Sequence, residues 1–145
     1  MNKLEIDLKE LWPLINEAIM AGGEFRLFHK GMSMMPLLRE GKDSVLLTAP
    51  TDLKKNDIVL YIRSSGQFVM HRIVKIKGDE YIMCGDNQCV LERGIKKENI
   101  VAKVKGVYRG SEYFEPDKKE YKRYVRKLPF RRAKIRILFA IGVNK

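Results

Sequence analysis

The sequence predicts a mainly β, partly closed antiparallel fold flanked by an N-terminal and a C-terminal helix. Short runs rich in Val, Ile, Phe and Tyr fill the chain from Glu24 to about Glu115, separated by Gly, Asn, Asp and Ser clusters. No long helical periodicity interrupts those runs, as antiparallel connections require. Helical spacing of apolar residues stands at the N-terminal end, and the chain turns basic and helical at the C-terminal end. A length of 145 residues is that of a single domain able to bury a core, divided into an N-terminal helix over 1–23, a β-rich body over 24–116 and a basic helical tail over 117–145.

Leu8, Leu11, Ile15 and Ile19 recur at spacings of 3, 4 and 4, which places them on one helical face. Asp7 and Glu10 suit a capping box at its start, Pro13 predicts a kink or restart, and Gly22-Gly23 predicts its end. Leu4, Ile6 and Leu8 alternate too briefly to define a strand. Strands are expected at Phe25–His29, Ser44–Leu47, Ile58–Arg63, Phe68–Lys77, Tyr81–Cys84 and Val101–Arg109. Gly31, Gly41-Lys42-Asp43, Asn56-Asp57, Ser64-Ser65-Gly66, Gly78-Asp79 and Gly85-Asp86-Asn87 mark the turns between them. Lys118–Ala140 is expected to be a basic helix.

The formal net charge of +11 is unevenly placed: residues 117–145 hold eleven Lys/Arg against two Asp/Glu, whereas the rest of the chain is nearly neutral. An anionic partner would therefore meet the tail. Cys84 and Cys89 form neither a disulfide framework nor, at C-x4-C spacing with no second pair, a zinc site. Free thiols fit a reducing compartment. Glu5, Asp7 and Glu10 occupy the place of a signal peptide's basic and apolar regions, and Leu11–Ala21 is far short of the roughly 20 apolar residues a membrane span needs. A cytoplasmic protein is expected, and neither a cofactor nor a metal is.

Three segments carry candidate chemistry. In Gly31-Met32-Ser33-Met34-Met35-Pro36, a serine between a glycine-led turn and a proline sits on a constrained bend that presents its hydroxyl. The surrounding methionines predict an apolar platform. Val69-Met70-His71-Arg72-Ile73-Val74 places a histidine in an apolar strand. Its side chain serves either as a satisfied core group or as a base able to accept a proton near neutral pH. A serine hydroxyl needs such a partner, because unaided it is hardly nucleophilic. Cys84-Gly85-Asp86-Asn87 is by itself a β-turn with an Asx side chain.

In this order, Ser33-Met34-Met35-Pro36, the strand begun by Asp57, His71-Arg72 and Gly85-Asp86-Asn87 resemble the signal peptidase I superfamily, which also includes the LexA-like self-cleaving repressors. A histidine at the base position is similar to the histidine-type enzymes of archaea and the endoplasmic reticulum. The resemblance covers roughly Glu24 to Gly110 and implies a signal-peptidase/LexA-type β-fold. It also implies a serine peptidase that cleaves a leader or signal-like peptide through an acyl-enzyme. Ser33 would be the nucleophile, His71 the general base and later acid, and Asp86 the group that orients His71. The oxyanion hole would use the N–H of Ser33 with that of Gly31 or Met32. Where some relatives carry a serine two residues before the nucleophile, this chain has Gly31. Glu92 is the nearest match to a further aspartate used by histidine-type relatives. An amphipathic helix in place of their membrane anchor resembles soluble peptidases encoded beside small modified-peptide pathways.

Rival bases are His29, which reads as a strand-end surface histidine, and Lys75, placed by simple alternation on the face of His71 but roughly 13 Å away at ~3.3 Å per residue. Ala21-Gly22 is a weak candidate for self-cleavage, and Cys84 is a weaker nucleophile. Two non-enzymatic readings stand beside the peptidase: a silent module that grips peptides by strand addition, and a nucleic-acid-associated regulator acting through the tail. Nucleic acid is the less expected partner, because few aromatics (Tyr121, Tyr124, Phe130, Phe139) interleave with the charges and no helix-turn-helix pattern precedes the β-body. The expected partners are a peptide or protein substrate and, through the tail, weak contact with the inner face of an anionic membrane.

Overall fold

A computed structural model describes residues 8–142. Leu4, Ile6 and Asp7, and with Asp7 the expected capping box, lie outside the described residues. Helix α1 (Leu8–Met20) continues through Pro13 without restarting and buries Ile15 and Ile19. Gly22, at φ +80°, and the bond from Gly23 N to Ala18 O (2.9 Å) close it.

The body is one eight-stranded sheet with antiparallel pairing throughout, and it is not closed into a barrel. Its strands are β1 (Phe25–Phe28), β2 (Ser44–Thr48), β3 (Ile58–Ile62), β4 (Phe68–Lys77), β5 (Glu80–Cys84), β6 (Glu92–Lys96), β7 (Ile100–Arg109) and β8 (Glu112–Phe114). They lie in the order β1-β2-β7-β3-β4-β5-β6, with β8 paired to β7, so β1 and β6 are the edges of that path. Sequence reading misses β6 and β8. The segment Glu-Arg-Gly-Ile-Lys of β6 has one β-branched residue and a glycine at φ +80°, and it buries only Ile95. β8 is three residues long, too short to show a period.

Each face of the sheet has its own core. Ile58 and Leu60 of β3 join Ile15, Met34, Leu38 and Met70 in the larger one, against α1 and the segment after β1. Val59 and Tyr61, the alternate residues of the same strand, join Val69, Ile73, Met83 and Ile95 in the smaller one. This double burial explains why β3 reads as an unbroken apolar run.

Helix α2 (Lys119–Ala140) buries Tyr121, Leu128 and Ile135, one residue every two turns, as a narrow seam. Phe130, Ile137, Phe139 and Ile141 remain exposed, so the apolar end of the tail is only partly covered. Among the described residues no helix is long and apolar enough to cross a membrane.

Candidate active site

Ser33 stands half-buried on the turn after β1. Met34 anchors this turn by full burial in the larger core, while Met32 stays exposed, so only part of the expected methionine platform forms. Gly31, at φ +89°, supplies the left-handed residue that starts the turn. The loop after β5 holds the turn from the other side. Asn87 N donates to Ser33 O (2.8 Å) and Asn87 Nδ2 to Met32 O (3.1 Å). A Cβ on Gly85 would lie 2.5 Å from Ser33 O, so only glycine lets the two segments approach this closely.

Ser33 and His71 line one cleft of about 490 Å³, walled by Leu27, Phe28, Phe68 and Met70 and bordered by Lys30, Glu40 and Arg63. Among the described residues no hydrogen bond joins the Ser33 hydroxyl to His71; the pair shares the cleft without touching in this way. Catalytic hydrogen bonds of this kind are often long until substrate is bound. Gly31 N–H is occupied by Glu40 Oε2 (2.6 Å), which removes Gly31 from the expected oxyanion hole. No acceptor among the described residues meets the amides of Met32 or Ser33, and these remain for that role.

His71 is buried in β4, and burial, reinforced by the positive charge of Arg63, pushes its pKa down to about 4 against the pull of Glu92 and Asp86. The ring is therefore neutral throughout the physiological range, and its titration lies well below the ordinary value of ~6.5 that its residue type suggests. Its Nδ1 lies 3.2 Å from Tyr61 Oη, and that hydroxyl donates to Glu92 Oε1 (2.7 Å). Arg63 grips Glu92 with both arms of its fork, Nε to Oε2 at 2.9 Å and Nη2 to Oε1 at 2.8 Å.

Asp86 stands in the expected turn, but its partner is not the His71 that the resemblance implied. Both its oxygens receive Arg72, Nε to Oδ1 at 2.8 Å and Nη2 to Oδ2 at 2.7 Å, with both side chains withdrawn from water. Tyr124 Oη donates to Oδ2 (2.8 Å), while Arg72 Nη1 reaches Asn56 O and Tyr121 Oη, each at 2.8 Å. Among the described residues no hydrogen bond links Asp86 to His71; its influence there is a through-space charge. Helix α2 adds to the same loop: Arg131 Nη2 donates to Asn87 Oδ1 (2.8 Å) and Arg136 Nη2 to Cys89 O (3.3 Å).

The rival groups sort by environment. His29 is buried beyond the end of β1 and lines the same cleft, which corrects its reading as a surface residue. Burial lowers its pKa, and among the described residues its Nε2 has no hydrogen-bond partner. Lys75 is exposed, and a bulge between Ile73 and Lys75 shifts the register, so simple alternation no longer puts it on the face of His71. Burial raises the pKa of Cys84, whose thiol is the less reactive for it. Ala21-Gly22 is held in the turn that closes α1. Among the described residues no cluster of His, Cys, Asp and Glu is arranged to hold a metal ion.

Tyr61 and Arg63 escaped the sequence reading because both look like ordinary residues of an apolar strand and its end. The β3–β4 register, Val59 opposite His71 and Tyr61 opposite Val69, puts Tyr61 diagonally beside His71 on the same face. That register is the signal that could have found it. Comparison with family models, with curated proteins and with solved structures found no match to this chain.

Proposed function

We propose that this protein is a serine peptidase that cleaves a leader or signal-like peptide through an acyl-enzyme. The observation that carries the reading is the cleft shared by Ser33 and a neutral His71. Ser33 Oγ attacks the scissile carbonyl carbon as His71 Nε2 takes the hydroxyl proton. The amides of Ser33 and Met32 receive the oxyanion. His71 returns the proton to the leaving amine, and the C–N bond breaks. Water, deprotonated by His71, then releases the acyl group as a carboxylic acid and restores Ser33. Edge strand β1, which ends at the cleft, suits an extended peptide added by main-chain hydrogen bonds.

Incubation with candidate leader peptides, read by mass spectrometry, tests the proposal. Ser33→Ala is expected to lower cleavage by more than about 10⁴-fold without unfolding the protein. Equal cleavage by variant and parent would sink the serine mechanism.

A second reading is a silent peptide-binding module, favoured by the absence of a Ser33–His71 hydrogen bond among the described residues. It expects peptide binding that Ser33→Ala leaves unchanged, with no cleavage by either form. The proposed setting is the cytoplasm, with α2 in weak, reversible contact with an anionic membrane. The exposed Phe130, Ile137 and Phe139 beside basic side chains support that contact. Nucleic acid fits less well, because Arg131 and Arg136 are engaged with the loop after β5.

A further inference from the structure

Behind His71 lies a chain of polar groups that the proposed peptidase chemistry does not use. Tyr61 is fully buried in the smaller core, yet its hydroxyl meets two partners, His71 Nδ1 at 3.2 Å and Glu92 Oε1 at 2.7 Å. A phenol has one hydrogen to give. Glu92, held by two bonds from Arg63, is kept ionised and can only accept. Burial and the neighbouring carboxylate raise the pKa of Tyr61, so its hydroxyl keeps its proton.

The hydrogen must therefore go to the carboxylate, where the bond is charge-assisted and the shorter of the two. Turned the other way, the phenol oxygen and Glu92 Oε1 would face each other at 2.7 Å with no hydrogen between them. The contact with His71 then requires a hydrogen from the imidazole, which puts the proton on Nδ1. We infer that Tyr61, Glu92 and Arg63 form a positioning relay that fixes the tautomer of His71, so that Nε2 presents its lone pair for chemistry in the cleft.

The relay differs from a direct carboxylate–histidine pair by one inserted hydroxyl. Tyr61 orients the ring and passes on the polarity of Glu92, while Arg63 stops Glu92 from turning towards the imidazole. Each member stands on a different piece of the sheet: Tyr61 in β3, Arg63 just beyond it, Glu92 at the start of β6 and His71 in β4. Besides Tyr61 in direct contact, charged or titratable groups that act on His71 among the described residues include Arg63, Glu92, Asp86 and His29. Of these, Glu92, with Arg63 bound behind it, reaches His71 through a hydrogen-bonded chain by way of Tyr61.

The direct test is ¹⁵N NMR of the histidine side chains in the free protein near neutral pH, with His71→Gln to assign the signal. His71 is expected to show a protonated Nδ1 and an unprotonated Nε2. Tyr61→Phe keeps the ring in the core but removes the hydroxyl. It is expected to move His71 towards the Nε2–H form, with circular dichroism and thermal melting showing that the fold is retained. Should Tyr61→Phe fail to fold, Glu92→Gln reports on the same bias from the far end of the chain. A parent protein protonated at Nε2, or variants that fold and leave the tautomer unchanged, would overturn the relay.

The kinetic arm rests on the peptidase reading. Tyr61→Phe should lower kcat by at least about 10-fold, a part of the ~10²–10⁴ that a positioned acid–base group contributes, with KM preserved. An unchanged kcat in a cleaving enzyme would also overturn the relay. If the tautomer behaves as expected and no peptide is cleaved by the parent, the relay stands and the peptidase reading falls alone.

Discussion

Asp86 and Glu92 are near neighbours in sequence, both carboxylates are bound by an arginine and a tyrosine, and they belong to different worlds. Asp86 is sealed from solvent between Arg72 and helix α2. Glu92 is partly open, paired with a partly open Arg63, and stands at the end of a chain that leads to His71. The first carboxylate holds elements of the fold together; the second serves a side chain in the cleft. The lesson is that a recognisable motif, here Gly85-Asp86-Asn87, can mark a structural carboxylate while the one linked to His71 stands on a strand that sequence reading misses.

The largest test of this contrast is to neutralise each carboxylate in turn. Asp86→Asn leaves the Arg72 guanidinium buried without its counter-charge, and breaking such a pair costs about 3–5 kcal/mol. Urea denaturation should show that loss. Glu92→Gln removes a partly exposed pair and should cost at most about 1 kcal/mol. If both variants lose stability equally, the division between the two carboxylates fails.

A second test uses pH and sharpens the contrast from the side of His71. Its pKa falls on folding from ~6.5 to about 4, so between these values the unfolded chain binds more protons than the folded one. Stability is then full above pH ~6.5 and declines as pH falls towards 4, by roughly 3 kcal/mol from this group. His29, also lowered, adds in the same direction. Asp43, held by Arg39 at about 2, yields only at lower pH and does not confuse the window. Denaturation midpoints from pH 7 to 4 should fall, and His71→Gln should flatten the slope. A slope unchanged by that substitution would mean that His71 is not held neutral by burial.

The smallest expected effect concerns α2, whose inner face holds the Asp86 loop and whose outer face carries Lys122, Arg123, Arg126 and Lys127 in water. Each such charge near an anionic surface is worth about 1 kcal/mol at best. Co-sedimentation with anionic vesicles should be weak at low salt, vanish at high salt and drop in Arg123→Glu/Arg126→Glu. No sedimentation at low salt would leave the outer face as a solvated surface only.

The parts of this molecule that sequence made legible are those where one physical signal dominates. The 3-4-4 spacing through Leu8, Leu11, Ile15 and Ile19 gives α1, and the apolar runs give β1 to β5 and β7. Ser33 and His71 stood out through the order of three segments, the serine on its bend, the in-strand histidine and the Gly85-Asp86-Asn87 turn, and not through either residue alone. Asp86 was visible as a residue but not in its partners, because nothing local says that Arg72 will take both of its oxygens. Glu92 could not be placed without β6, a strand whose composition argues against it and which exists because β5 offers an edge to pair with. Tyr61 needed a hairpin register, a property of two strands and their turn that no single strand states.

The close approach of Gly85 to Ser33 has a mechanical consequence. The Ser33 turn has no independent freedom, since Asn87 holds two of its carbonyls and Arg131 of α2 holds Asn87. A push on the outer helix is thus delivered, through one amide side chain, to the backbone that aims the Ser33 hydroxyl.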